Sequence, residues 1–357
     1  MQTISFYPGP SKVYPQVKTF MAEAMDSGLL SRNHRSPEFV ALSQETVLLL
    51  KQKLNIPKNY SIFFTSSATE CWEVLAESYL DAYSFHIYNG AFGEKWLNYR
   101  KKIRGNASGQ RFHTQRQLGI KSLTIPEQSE LICLTQCETS NSTQLKNKQI
   151  RKIKKQHTQA LIAIDATSSM GGIELEWSYG DIWFASVQKC FGLPAGMALM
   201  VCSPRAIEKA QEMQHNLHYN SLLFMSEKMR EWQTTYTPNV LSIFLLNRIL
   251  KHVPDIQTTS TLLKSRASYM YQELQQAGFQ ALIHSKRLRA DTVLAIKASP
   301  QQVTYIKNQA LKAGFLLGNG YGTWKEITFR IANFPAHTDE EVHALLKFLK
   351  EEGKKCQ

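Results

Sequence analysis

The stretch ALIAIDATSSMGGIELEWSYGDIWFASVQK, residues 160–189, holds two short apolar runs that each end in polar sequence. Both runs, ALIAIDA and DIWFAS, are apolar enough to predict strands buried on both faces. Asp165 follows the first strand, and Gln188 and Lys189 follow the second. A long cation so close to a core needs a task or a partner; the alternative is a lysine whose stem packs at the strand end while its amine reaches water.

Similar apolar runs alternate with helical patterns over most of the chain. We predict strands at 61–65, 85–88, 130–135, 160–166, 181–186 and 197–202. Helical patterns such as ATECWEVLAESYL and GEKWLNYRKK lie between them. This alternation predicts an α/β fold whose main sheet is largely parallel and covered by helices.

The pattern of predicted strands and helices changes near residue 245. A helical stretch, SIFLLNRILKHV, leads into helix-rich sequence with only brief strand signals, TVLAIK and ITFRIA. We therefore expect a large domain at residues 14–245 and a smaller C-terminal α/β domain at residues 246–357. Residues 1–13 follow no pattern and could pack against either domain; we group them with the smaller one.

The chain is basic, with 42 Lys and Arg against 29 Asp and Glu and a formal net charge of +13. Such a surplus raises nucleic acid as a partner. The densest basic run, KNKQIRKIKKQH at 146–157, has Ile150 and Ile153 three residues apart and no aromatic residue. We interpret it as a helix with one buried edge and a solvated basic face, and we expect no nucleic-acid partner.

The remaining composition favours a cytoplasmic protein without a membrane span. No apolar run reaches the ~18–20 residues of a membrane helix, and the start MQTISFYPGPSK lacks the features of a secretory signal. None of the six cysteines belongs to a CxxC pair, and no histidine cluster accompanies them. We expect six reduced thiols and no metal site.

Polar residues at the strand ends are candidates for a binding site, because ligands of open α/β sheets collect there. Small residues, Ser66 to Thr69, follow SIFFT, and their N–H groups could bind phosphate at a helix start. Thr69 could equally be only the helix cap. Phe92 stands between two glycines in NGAFGEKW, where its ring could cover a flat ligand or fill the core.

Two more positions, one after a strand and one inside a strand, complete the set. The loop QCETSNST follows ELICLT and offers Glu138, Thr139 and Ser140. Arg330, inside ITFRIA, could hold a carboxylate or form a structural ion pair. Phosphate binder, flat ring, aspartate, amine and carboxylate fork together describe pyridoxal 5′-phosphate (PLP) with an amino acid docked on it.

In the order and wording of these motifs, the chain resembles the class V, fold-type I PLP-dependent aminotransferases. The likeness is to the branch that holds the phosphoserine and the serine/alanine–glyoxylate enzymes, and it covers nearly the whole chain. It is carried by FYPGPSKVYP, SRNHRSPEF (31–39), TSSATE, NGAFGEKW, ETSNST, DATSSMGG, SVQK, YTPN and FRIANF (329–334). The resemblance implies the PLP-dependent transferase fold, transaminase activity and PLP as cofactor.

The resemblance also implies roles around the cofactor ring. Lys189 matches the lysine that forms the Schiff base, and Asp165 matches the aspartate that keeps the pyridine nitrogen protonated. Phe92 stands where the family usually has a tryptophan stacked on the ring. Thr139 matches the hydroxyl near the ring 3′-oxygen.

For the cofactor phosphate, the resemblance implies backbone N–H groups of Ala68 and Thr69 with the Gln188 side chain beside them. Tyr236 and Thr237 in YTPN match a pair that reaches the same phosphate from the other subunit. The family pattern therefore implies a homodimer with active sites at the subunit interface.

For the substrates, Arg330 matches the arginine that binds the α-carboxylate, and His34 and Arg35 match residues of the substrate-side pocket. Phosphoserine enzymes usually carry a His-Arg pair where this chain has Thr323 and Trp324. Overall length, the HRSPEF context and NIPKNYSIFF favour transfer from O-phosphoserine to 2-oxoglutarate, in serine biosynthesis. Transfer from serine or alanine to glyoxylate or pyruvate is the alternative.

Two other functions are weaker. A class V lyase such as a cysteine desulfurase needs a nucleophilic cysteine on a mobile loop, and the small domain offers only Cys356. A non-catalytic protein that binds nucleic acid through the 146–157 face is a rival of a different class.

Overall fold

The computed structural model describes residues 3–355. The strands are β1 (Ile4–Phe6), β2 (Ser61–Thr65), β3 (Tyr83–Tyr88), β4 (Ala107–Arg111), β5 (Ser129–Thr135), β6 (Cys137–Glu138), β7 (Thr143–Gln144), β8 (Leu161–Asp165), β9 (Ile182–Ser186), β10 (Ala198–Cys202), β11 (Gln280–Ala281), β12 (Val293–Lys297), β13 (Phe315–Asn319) and β14 (Thr328–Ala332). The α-helices are α1 (Val17–Asp26), α2 (Pro37–Leu54), α3 (Ala68–Ser78), α4 (Ala91–Ile103), α5 (Asn147–Gln156), α6 (Pro204–Met213), α7 (Leu222–Met229), α8 (Val240–His252), α9 (Ile256–Gln276), α10 (Pro300–Lys312) and α11 (Asp339–Lys355).

The main sheet has seven strands in the order β2-β10-β9-β8-β5-β3-β4. Strand β10 runs antiparallel to both neighbours, and the other pairs are parallel. All six predicted strands lie in this sheet, which confirms the α/β class with a largely parallel sheet. The seventh strand, β4, was not predicted.

The central strands are apolar because both of their faces are covered. Strands β8, β9 and β10 are buried at every residue, and Ile162, Phe184 and Leu199 have no exposed surface. Strands buried on both faces need helices above and below them. The basic run forms α5, where Ile150 and Ile153 are fully buried while Arg151 and Lys152 are exposed.

A second sheet of five strands has the order β1-β13-β14-β12-β11. Strand β1 from the chain start pairs in parallel with β13, and the other pairs are antiparallel. Its core includes Phe6, Phe329 and Leu345. The N-terminal segment is thus part of the smaller sheet, although it precedes the main sheet in sequence.

The boundary expected at residues 245 and 246 falls inside α8. Buried residues of this helix, such as Phe244 and Leu250, join the core around the main sheet, and α8 packs on α1 and α2. We propose that the division into two domains lies after α8, near Pro254, since α9 already contributes Met270 and Leu274 to the smaller core.

The five cysteines between residues 3 and 355 are unpaired and buried. Cys356 lies outside the described residues, so its expected state stays a prediction. No helix within residues 3–355 is long and apolar enough to cross a membrane.

Candidate active site

Three neighbouring strands of the main sheet end side by side. Thr135 ends β5 opposite Asp165, which ends β8, and Ser186 ends β9 on the other side. The loops that follow bring Thr139 and Lys189 to the same edge. A cavity of about 230 Å³ lies there, and most residues of the predicted site line it. The lining residues are Tyr7, Pro8, Gly9, Ala68, Thr69, Trp72, Phe92, Lys95, Thr135, Cys137, Thr139, Asp165, Thr167, Ser186, Gln188, Lys189, Tyr321 and Arg330.

Lys189 is a buried amine with two hydroxyl partners. Its Nζ donates to Ser168 Oγ at 2.8 Å and to Thr139 Oγ1 at 3.1 Å, and only 8% of the residue is exposed. Burial lowers the pKa of Lys189, and the nearby Asp165 carboxylate opposes that shift. The amine is therefore easier to deprotonate than an ordinary lysine, which suits a nucleophile and proton carrier.

Asp165 is a buried carboxylate at the floor of the cavity. The Thr167 N–H donates to its Oδ1 at 2.9 Å, and 5% of the residue is exposed. Burial raises the pKa of Asp165, whereas hydrogen bonds from Thr167 and the charge of Lys189 lower it. The charged form of a buried carboxylate is strongly stabilised by a protonated ligand nitrogen placed against it.

The wall of the cavity is aromatic. The Phe92 ring stacks on Tyr321 with centroids 4.9 Å apart and an interplanar angle of 23°, and the Lys189 amine lies 5.5 Å from the Phe92 centroid. The buried Glu138 carboxylate accepts the N–H groups of Phe92 and Gly93, so it caps the start of α4. Glu138 therefore fixes the backbone that carries the Phe92 ring.

The start of α3 is suited to an anion. Its cap is Ser67, whose Oγ accepts the Glu70 N–H at 3.0 Å, so Thr69 is not the helix cap. The Ala68 N–H donates to Ser186 Oγ at 3.0 Å. Among residues 3–355 the Thr69 N–H has no partner, and a free N–H at a helix start attracts phosphate.

Arg330 reaches the cavity from β14 of the smaller sheet. It is 3% exposed, and it donates through Nε to Asn319 O at 2.6 Å and through Nη1 to Thr139 O at 2.8 Å. Burial lowers the pKa of Arg330 without removing its charge. The carbonyls orient the guanidinium, whose planar fork suits a carboxylate.

Three contributors to the site were missed in the sequence. Ser168 binds the Lys189 amine, and the loop TSSMGG signalled only a polar turn. Tyr7 and Gly9 line the cavity because residues 7–11 pass over Lys189. At Gly9 φ is +138°, and a Cβ there would lie 2.8 Å from Lys189 Cε, so the backbone conformation and the close approach both favour glycine.

Four predicted site residues lie outside this cavity. The His34 ring is 3.4 Å from Thr237 Oγ1, measured at Nδ1, and Arg35 is exposed. The Tyr236 ring packs edge-on against Tyr219 at 5.8 Å. The single chain does not bring His34, Arg35, Tyr236 or Thr237 to Lys189, so their roles stay predictions.

The residues present fit PLP. Thr135 Oγ1 and Gln188 Oε1 are buried without a hydrogen-bond partner among the described residues, and both residues line the cavity. Such groups call for a polar ligand. Asp165 would hold the ring nitrogen, Phe92 would cover the ring, and the Thr69 N–H would meet the phosphate.

Comparison with known proteins shows the family and the fold. The family described as Aminotransferase class-V matches residues 6–315. A crystal structure of a phosphoserine aminotransferase from Cytophaga hutchinsonii superposes with a TM-score of 0.92 and 32% identity, covering 98% of each chain. An alanine–glyoxylate aminotransferase from Nostoc sp. superposes with a TM-score of 0.87 and 18% identity, covering 99% of this chain and 95% of that one.

A phosphoserine aminotransferase of Rhodococcus opacus (strain B4) is 25% identical over 244 residues, which is 67% of this chain. The chain spans 64% of that relative's length. The family match covers most of the sequence and includes Asp165 and Lys189 on their adjacent strand ends. The chain belongs to the class V aminotransferase family.

Proposed function

We propose that this chain is a PLP-dependent aminotransferase that moves an amino group from an α-amino acid to a 2-oxo acid. The observation that carries the proposal is the buried Lys189 amine, held by two hydroxyls in one cavity with Asp165 and Arg330. An amine, an acid and a carboxylate fork in one cavity are what amino-acid chemistry on PLP requires.

When bound, PLP supplies a carbonyl carbon for amine exchange and a ring that withdraws electrons from the substrate Cα. Arg330 binds the α-carboxylate and so orients the Cα–H bond. Lys189 would take the Cα proton as a base and, as an acid, return it to the carbon on the other side of the transferred nitrogen. Asp165 would hold a proton on the ring nitrogen. Phe92 and Tyr321 exclude water from the aromatic wall of the cavity.

The cavity also argues against a cysteine desulfurase. Cys137 lines the cavity, but burial raises the pKa of its thiol to about 12, which leaves it protonated. A protonated thiol is a poor nucleophile. Sulfide release from cysteine by the purified protein would contradict this reasoning.

For the substrates, we propose O-phosphoserine and 2-oxoglutarate, giving 3-phosphohydroxypyruvate and glutamate. The support is the identity of 32% over 98% of the chain to a phosphoserine aminotransferase, against 18% to an alanine–glyoxylate enzyme. That reaction belongs to serine biosynthesis. From the sequence alone, we propose a cytoplasmic location.

The second candidate is transfer from serine or alanine to glyoxylate or pyruvate. It is favoured by the segment Gly322–Trp324, where Thr323 and Trp324 bring no charge. Half-reaction spectra with phosphoserine, serine, alanine and glutamate, offered separately, distinguish the two. A large preference for phosphoserine supports the first candidate, and indifference to the phosphate group supports the second.

The role of Lys189 has its own test. Lys189→Ala should abolish turnover yet still bind PLP, and borohydride reduction of the wild type should fix PLP on the peptide that contains residue 189. Turnover like that of the wild type in this variant would overturn the mechanism.

We also propose a homodimer with shared active sites. His34 and Thr237 touch each other on the surface of one chain, away from its own cavity, where a second copy can use them. Mixed dimers of Lys189→Ala with Thr237→Ala should recover activity above either variant alone. Sedimentation as an active monomer would contradict this proposal.

A further inference from the structure

Among the described residues, three cationic side chains line the active-site cavity, and one of them has no task so far. Lys189 donates to hydroxyls and Arg330 donates to carbonyls. The side-chain amine of Lys95 makes no hydrogen bond or ion pair with any of residues 3–355. Its amine lies 5.6 Å from the centroid of the Tyr99 ring, which is a weak contact at an exposed site.

Lys95 lies on the side of α4 that faces the cavity. It follows Phe92 by three residues, and residues at this spacing share one face of a helix. The only carboxylate among the described lining residues is Asp165, at the floor. Lys95 therefore provides an unpaired positive charge at the mouth of the cavity. The ring nitrogen and the carboxylate already have their proposed partners, Asp165 and Arg330.

In the neighbouring turn of the smaller domain, Gly322–Trp324, no side chain carries a charge. The next residue, Lys325, lies 3.9 Å from the Glu326 carboxylate and does not line the cavity. A Cβ at Gly322 would lie 3.6 Å from Ala91 Cβ, so this segment adjoins the start of α4. Trp324 packs on the buried cluster that contains Leu282 and Leu288. Thr323 is exposed and uncharged.

We propose that Lys95 binds a phosphate group inside the cavity through its ammonium. Two phosphates could occupy this position. One is the phosphate of the amino-acid substrate, and that assignment rests on the proposed phosphoserine reaction. The other is the phosphate of PLP. For that phosphate, helix α3 offers the Thr69 N–H, but none of its described residues places a cationic side chain in the cavity. An ammonium beside a phosphate gives a charge-assisted contact in either case.

Lys95→Met keeps the aliphatic stem and removes the charge, and Lys102→Met is its matched control. The Lys102 amine lies 5.3 Å from the same Tyr99 ring, but Lys102 does not line the cavity. Both substitutions remove one charge from α4 and one contact with Tyr99. Only the first removes a charge from the cavity.

The experiment measures the half-reaction rate with phosphoserine and with serine, and the affinity of each apo variant for PLP by absorbance titration. If the ligand is the substrate phosphate, Lys95→Met should lower kcat/KM for phosphoserine about 10-fold or more, with serine and PLP affinity unchanged. If it is the cofactor phosphate, PLP affinity should fall about 10-fold and both substrates should slow equally. Lys102→Met should match the wild type in all three measurements.

Two results overturn the proposal: a Lys95→Met variant that matches the wild type in all three measurements, or an equal loss in Lys102→Met. The proposed reaction fails separately, if the wild type has no preference for phosphoserine over serine. In that case the PLP titration alone decides whether Lys95 binds a phosphate.

Discussion

Replacing Gly9 by alanine should displace the Lys189 amine, the group proposed to carry the reaction, while every side chain proposed to take part in chemistry is kept. The new Cβ would lie 2.8 Å from Lys189 Cε, whereas carbon atoms in contact are ~3.5–4 Å apart. Either the lysine stem or residues 7–11 must therefore move by about 1 Å. A misplacement of ~1 Å costs roughly 100-fold in rate, which corresponds to about 2.7 kcal/mol in the activation barrier.

Gly28→Ala is the matched control for backbone strain. Gly28 also has a positive φ, +67°, but a Cβ there meets nothing within 4 Å. Both variants should lose about 1–3 kcal/mol of unfolding free energy, because alanine disfavours such backbone angles. Only Gly9→Ala should lose catalysis as well.

The assay is stopped-flow absorbance of the half-reaction with glutamate under saturating PLP, with urea unfolding of each variant alongside. We expect Gly28→Ala to react at the wild-type rate. A Gly9→Ala variant that also reacts at the wild-type rate would refute the claim that Gly9 positions the lysine stem.

Three further substitutions or titrations test the site and the fold. Ser168→Ala removes a 2.8 Å hydrogen bond from the Lys189 amine, and stopped-flow kinetics should give a rate about 10-fold lower with little change in unfolding. Arg330→Lys loses the planar fork, so kcat/KM for the amino acid should fall about 100-fold while PLP titration gives the wild-type affinity. Burial lowers the pKa of His337 to about 4, so the unfolded chain binds more protons between pH 6.5 and 4. Stability should therefore fall as pH drops through that range, and denaturation curves of His337→Gln should show a shallower fall.

The core of the site could be predicted because local patterns report buried strands well. Asp165 and Lys189 follow two apolar runs, and these runs are neighbouring strands, so the two side chains meet at one edge. The polar strand β4, Ala107–Arg111, was missed because it lies at the edge of the sheet. One side of it has no strand partner within residues 3–355, so no apolar run is needed.

The rest of the site depends on contacts between distant parts of the chain. Nothing in FYPGP indicates that Gly9 packs on Lys189, because that contact exists only once β1 has joined the smaller sheet. The antiparallel direction of β10 also escaped prediction, since an alternation of strands and helices favours parallel pairs. His34 and Thr237 lie off the cavity of their own chain, and the roles proposed for them depend on contacts with a second copy.

The main chain between Ile4 and Ser11 links the two sheets mechanically. Ile4 pairs with Phe315 of β13, and the Ser11 N–H donates to Gln188 O, one residue before Lys189. If an amino acid binds at Arg330, as proposed, and moves the smaller sheet toward the main sheet, the segment Ile4–Ser11 will also move the backbone beside Lys189. Binding of the carboxylate at Arg330 and positioning of the Lys189 amine would then be coupled. A substrate without a carboxylate would react slowly even where it fits the cavity.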